Sequence, residues 1–130
     1  MCPCHSHKFY DLCCKPLHDG VISASDARSL MRSRYSAYAR GLASYIIKTT
    51  HPFNSLFKQK EQDRIAGIIQ FCQETSFDGL EILEFIDAKD TAWVTFKAIL
   101  RQDGKDISFT EKSLFKKENG IWLYVAPVMA

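Results

Sequence analysis

Four of the five cysteines, Cys2, Cys4, Cys13 and Cys14, fall within the first fourteen residues, in the run CPCHSHKFYDLCC. The spacing is C-x-C, eight residues, then C-C, so a chain that turns back on itself can bring four thiolates to one ion in closed tetrahedral coordination. Zinc suits this soft donor set, and a tetrathiolate site also accepts iron. Disulfides between the two pairs are a competing use of the same residues, although the two adjacent cysteines rarely bond to each other because the ring is strained. A second alternative has His5, His7 or His18 replacing a thiolate; otherwise these histidines are exposed loop residues. A closed site keeps no open position for chemistry. Its role would be to order a segment whose few apolar side chains, Phe9, Tyr10, Leu12 and Leu17, cannot order it alone.

A second set of polar residues interrupts apolar rows. Ile107, Phe109, Glu111, Ser113 and Phe115 alternate onto one face of a strand, which inserts a carboxylate and a hydroxyl among apolar neighbours. A buried carboxylate needs a partner, and Arg34 and His51 are the candidates. Arg32, about 160° from Arg34 at helical spacing, is not. Trp122 and Tyr124 alternate together as a candidate aromatic wall, and Tyr35, Tyr38 and Tyr45 bring hydroxyls that need partners. The candidate ligand pocket is therefore Arg34, Tyr35, Tyr38, His51, Glu111, Ser113, Trp122 and Tyr124. Each of these also fits plain core packing. A catalytic use would take His51 or Glu111 as general base and Arg34 as anion stabiliser, but no nucleophile, base and orienter set and no glycine-rich phosphate loop is present.

The elements that must position these groups follow from periodicity. Ser25 to Thr49 has helical spacing, with Ser23 and Asp26 as a candidate capping pair and Met31, Tyr35, Tyr38, Leu42, Tyr45 and Ile46 as one core stripe. Glu61 to Glu74 repeats the pattern with Ile65, Ile68, Ile69 and Cys72, making Cys72 a core thiol. After Gly79 the period becomes alternating. Leu80–Asp87, Thr91–Arg101, Asp106–Lys117 and Ile121–Ala126 read as four strands joined by turns at Ala88-Lys89-Asp90, Asp103-Gly104 and Asn119-Gly120. Helices followed by an antiparallel meander predict an α+β domain with the long helix across a twisted sheet.

The run CPCHSHKFYDLCC resembles the SEC-C motif, usually CPCGSGKKYKKCC, and the later Leu30-Met31-Arg32-Ser33-Arg34-Tyr35-Ser36-Ala37-Tyr38-Ala39 resembles the YchJ-like family of uncharacterised bacterial proteins. The likeness continues through Thr50-His51-Pro52, Gly79-Leu80-Glu81-Ile82-Leu83, Glu111-Lys112-Ser113-Leu114-Phe115 and Gly120-Ile121-Trp122-Leu123-Tyr124. It implies a cystatin-like cone of the nuclear-transport-factor-2 (NTF2) type over residues 21–130, behind a metal-binding knuckle over residues 1–20. It also implies a protein partner for the knuckle, because the related motif at the C-terminus of the SecA translocase contacts a protein chaperone and the ribosome. Members of this broad fold include isomerases and dehydratases, the alternative to a binding role. Two departures stand out. His5-Ser6-His7 replaces Gly-Ser-Gly, at positions where glycine reaches backbone angles that histidine adopts at a cost. The chain also stops at Ala130 without the second cysteine motif of some longer relatives, so one metal site is expected.

Of the 130 residues, 46% are hydrophobic and 25% charged, with a formal net charge of +2, which gives no basic surface for nucleic acid. No apolar run has membrane-spanning length and no secretory signal is present, so thiols that hold metal point to a reducing cytoplasm. A small polar ligand in the cone and a homodimer through the outer sheet face, using Val94, Leu114, Leu123 and Val125, are the remaining expected partners.

Overall fold

The protein is described from a computed structural model, which covers residues 1–128; the chain end at Ala130 lies outside them. After the cysteine segment come α1 (Lys15–His18), α2 (Ala27–Arg40), α3 (Ala43–Lys48) and α4 (Glu61–Glu74), then β1 (Ser76–Asp87), β2 (Thr91–Gln102), β3 (Lys105–Asp106), β4 (Phe109–Glu118) and β5 (Ile121–Pro127). All strand pairs are antiparallel, in the order β1-β2-β4-β5, with the two-residue β3 paired to β2. The helices pack on one face of this curved sheet, so the α+β cone expected from the sequence is present.

Asp26 caps α2, its carboxylate accepting from Ser29 N at 2.7 Å. The single long helix expected over residues 25–49 is two. Gly41 takes left-handed angles (φ 72°, ψ 29°) and returns its N–H to the last turn of α2, which ends the helix and redirects the chain into α3. The expected core stripe is split accordingly. Met31 and Tyr35 join the sheet core with Val94, Phe96, Phe115 and Trp122, whereas Tyr45 and Ile46 join a second cluster with Ala37 and Ile68. Cys72 is half-buried beside that second cluster, where burial pushes its thiol pKa up. Ile69, placed on the core face of α4 by spacing, is exposed.

Alternation sends the even-numbered residues of β2 from Ala92 to Leu100 inward, opposite Phe109, Glu111, Ser113 and Phe115 of β4. Val94 is therefore fully buried, which removes it from the outer dimer face expected of it. Bulges in β1 between Phe77 and Gly79 and between Ile82 and Glu84, and in β4–β5 at Leu114/Phe115, bend the sheet around the helices. The free edge of β5 is covered by the segment after α3. Tyr124 N donates to Thr49 O and His51 N to Tyr124 O, at 2.9 and 2.7 Å.

Because nothing lies within 4 Å of a Cβ at Gly41, an alanine there meets only backbone strain. Gly41→Ala is expected to cost about 1–2 kcal/mol, measured by denaturant unfolding. An unchanged midpoint would show that the α2–α3 corner tolerates other angles.

Candidate functional site

The cysteine segment closes by Cys2 N donating to Lys8 O at 2.7 Å and His5 N to Cys2 O at 3.1 Å, while Cys14 leads directly into α1. The four sulfurs of Cys2, Cys4, Cys13 and Cys14 lie within 4.8 Å of one another. Cys4 Sγ and Cys13 Sγ are 3.6 Å apart, and Cys13 Sγ and Cys14 Sγ 3.9 Å. A metal about 2.3 Å from each sulfur spaces a tetrahedral set by about 3.8 Å, whereas a disulfide needs about 2.05 Å. All five cysteines are free, and the donor set fits a tetrathiolate centre.

Hydrogen bonds, first from Cys14 and then from Ser6, Cys2 and Cys13, bring Cys4 down to about 4 against its burial. The bond to Cys4, burial and the Cys4 charge push Cys14 up, and burial pushes Cys13 up. Holding all four cysteines as thiolates at this spacing takes a cation at their centre.

Side chains outside the cysteine set, none of them singled out by the sulfur spacing, seat the cluster. Ser36 Oγ lies 3.7 Å from Cys2 Sγ, and Ser6 Oγ 3.2 Å from Cys13 Sγ. Arg32, on the α2 face opposite Arg34, donates to Cys4 O at 3.2 Å, and Arg40 stacks 4.2 Å from the Tyr10 ring centroid. Small polar residues on the helix face opposite the apolar stripe were the available signal.

The histidines are not the exposed loop residues expected of all three. His5 is half-buried: its Nε2 bonds Phe77 O at 3.1 Å and its ring meets Tyr35 edge-on. His7 alone is exposed. Both take positive φ, 61° and 68°, the angles that made glycine the expected residue. His18 has both ring nitrogens engaged, Nε2 donating to Ser33 O at 2.8 Å and Nδ1 accepting from Tyr10 Oη at 2.7 Å.

Behind α2 lies a cavity of about 500 Å³. Met31, Arg34, Tyr35 and Tyr38 of α2 form one wall, and Phe96, Ala98 and Leu100 of β2 with Phe109, Glu111, Ser113 and Phe115 of β4 form the other. Tyr124 closes one end, and Arg64, Ile68 and Phe71 of α4 cover it with Leu56 and Gln59. Six of the eight sequence-predicted pocket residues line it: Arg34, Tyr35, Tyr38, Glu111, Ser113 and Tyr124.

The other two do not. Trp122 is buried in the sheet core, and His51 points away, its Nε2 on Glu118 Oε1 at 2.9 Å and its Nδ1 accepting from Phe53 N. The candidate trio Arg34, His51 and Glu111 is thus not brought together.

The expected Arg34–Glu111 ion pair is not a direct contact. Glu111 Oε2 accepts from Ser113 Oγ and, at 3.2 Å, from Tyr124 Oη. Arg34 stacks over the Tyr124 ring at 4.6 Å, so the aromatic ring mediates between the charges. Arg34 Nη1 donates to Ile46 O, Thr49 Oγ1 and Thr50 Oγ1 at 3.0, 2.8 and 3.0 Å, anchoring the end of α3. Tyr35 Oη is occupied by Gly79, donating to its carbonyl at 2.8 Å and accepting from its N–H at 3.2 Å across the β1 bulge, with burial raising its pKa to about 12. No helix among the described residues is long and apolar enough to cross a membrane.

Residues 26–127 match the family model described as the YchJ middle NTF2-like domain. A UPF0225 protein of Vibrio vulnificus (strain CMCP6) is 37% identical over 126 residues, covering 95% of this chain and 72% of that protein. The solution structure of a SEC-C motif containing protein from Rhodopseudomonas palustris superposes with a TM-score of 0.84 at 32% identity, covering 99% of this chain and 98% of its own. The crystal structure of a SEC-C motif containing protein from Psychrobacter arcticus gives 0.80 at 30% identity, covering 100% and 82%.

Because carbonyl O only accepts, the Ser33 contact requires a hydrogen on Nε2, and desolvation, ahead of the opposing bond to Ser33, lowers the His18 pKa below the ordinary 6.5 and so favours the neutral Nε2–H tautomer, with Nδ1 accepting from Tyr10 Oη. A base with a depressed native pKa stabilises the fold above the unfolded value and loses that contribution as pH falls below about 6.5. Two-dimensional 15N NMR of the imidazoles should show the Nε2–H form at pH 7 and a midpoint below 6.5. An Nδ1–H tautomer or a raised midpoint would contradict the contacts.

Proposed function

The chain belongs to the YchJ family of SEC-C motif proteins with an NTF2-like domain, and from that premise we propose that it is a zinc-binding, cytoplasmic ligand-binding module. The observation that carries this is the sulfur geometry: four free, mostly buried cysteine sulfurs at metal-ligand spacing, seated on the outer face of the helix whose inner face walls a cavity. Zinc is favoured over iron because a closed four-sulfur site asks for no redox chemistry and no geometric preference beyond the tetrahedron. Reduced thiols at this spacing suit a reducing compartment.

When bound, the ion supplies cohesion rather than catalysis. Cys2, Cys4, Cys13 and Cys14 hold it, and Ser36, Arg32, His5, Arg40 and His18 tie the knuckle to α2 and β1. Residues 1–20 thereby act as a clamp on the domain that begins at residue 21 and runs through β5. The isomerase or dehydratase alternative loses His51 as a base, since that ring is turned to Glu118. A binding role for the cone asks only for the cavity and its few polar groups.

Purified protein is expected to carry about one zinc per chain, and Cys13→Ser/Cys14→Ser to carry none. Chelation should strip hydrogen-exchange protection from residues 1–22 while β1, β2, β4 and β5 keep theirs. Retained protection in residues 1–22 after metal removal would refute the clamp. Unfolding of the whole chain in one transition would place the knuckle in the core instead.

A further inference from the structure

The cavity has an unbalanced charge. Two guanidiniums, Arg34 and Arg64, and one carboxylate, Glu111, are its ionisable groups of fixed charge. Arg34 is nearly inaccessible, 7% exposed, yet no described carboxylate lies within 4.0 Å of it. Its three hydrogen bonds all leave from Nη1, so the Nε and Nη2 edge of the fork donates to no described residue. That edge is not sealed in protein: the one fully buried, unpartnered side-chain nitrogen or oxygen among the described residues is Arg64 Nε, also in the cavity wall. Tyr38, on the same wall as Arg34, makes no side-chain hydrogen bond to a described residue, and its ring packs edge-on against Phe71. Burying cationic and hydroxyl donors without acceptors is costly, and a ligand that supplies acceptors removes the cost.

We propose that the cone binds a small monocarboxylate with an apolar, ring-containing body, its carboxylate on the free edge of Arg34 and the Tyr38 hydroxyl. A planar carboxylate matches the fork of a guanidinium. One negative charge balances the lining, and a second would face Glu111, which Ser113 and Tyr124 hold in place at the same end. A phosphate would also lack the lysine or the run of backbone N–H groups that usually cradle it. The rest of the wall is aromatic and aliphatic: Phe71, Phe77, Phe96 and Phe109 pack edge to face around the space, which favours a ring over a polar chain.

This inference rests on the ligand-binding reading of the cone and is tested so that the two can fail separately. The probes are 3-phenylpropanoate and 2-naphthylacetate, each beside its primary amide, titrated into the zinc-loaded full chain and followed by NMR shifts of cavity residues. The acids are expected to bind at least about tenfold more tightly than the amides, the loss when a charged hydrogen-bond partner becomes neutral. Arg34→Met should erase that preference, and Tyr38→Phe, which keeps the ring on Phe71, should reduce it. Acid and amide binding alike would overturn the carboxylate inference while leaving a ligand-binding cone. No shift at cavity residues with any probe at millimolar concentration would overturn both. Should Arg34→Met not fold, the acid-to-amide ratio and Tyr38→Phe decide the matter.

Discussion

Helix α2 has to bury two faces at once. Ala27, Leu30, Met31, Ser33, Arg34, Tyr35, Ser36 and Ala37 are all buried, more than half of its fourteen residues, and they leave only the arc of Arg28, Arg32 and Ala39 without a buried side chain. One face meets the sheet and the cavity; the other would be open to water if the first twenty residues were not laid over it. Those twenty residues have no apolar core of their own, so the cover is held by the sulfur cluster, by polar ties to Ser33 O, Ser36 Oγ, Arg32 and Phe77 O, and by Tyr10 under Arg40 and Leu17 against the second cluster. The helix is buried on both sides because the lid of the first twenty residues stands where a third hydrophobic layer would otherwise be needed.

Arg34 shows how the same helix joins function to fold. Its Nη1 anchors α3 through Ile46, Thr49 and Thr50, and the following residues pair with β5, so a single guanidinium links helix, corner and sheet edge. Such a group would ordinarily be neutralised by a buried carboxylate. Here Tyr124 lies between it and Glu111, partly compensating the charge through its ring face and leaving the other edge of the fork open to the cavity. The knuckle makes a comparable compromise. His5 and His7 stand at left-handed angles that cost about 1–2 kcal/mol apiece, and His5 offsets its share by reaching Phe77 O and the Tyr35 edge, contacts a glycine cannot make.

Much of this was legible in the sequence. The sulfur spacing pointed to the four cysteines that the fold brings together, period-two alternation placed Glu111 and Ser113 on the inner face of β4, and helical spacing separated Arg32 from Arg34. Three things were not legible, each for a physical reason. Gly41 lies inside a continuous apolar period, so periodicity ran through a break that backbone angles impose. Trp122 and Tyr124 share a face of β5, but only three-dimensional packing decides that Trp122 is covered by core while Tyr124 meets the cavity. His51 follows the helical period over Ser25 to Thr49 by two residues, which gives no direction for its ring; that direction is set by pairing with β5 and by Glu118, 67 residues away.

The central claim is that four sulfurs close on one metal and so fasten the lid over α2. X-ray absorption at the zinc edge tests it on the intact protein. The account predicts a single shell of four sulfur ligands at about 2.3 Å, with no nitrogen or oxygen in the shell. A mixed shell containing imidazole nitrogen, with His5 or His7 drawn from its place, would contradict it, as would sulfur–sulfur pairs at about 2.05 Å with no bound metal.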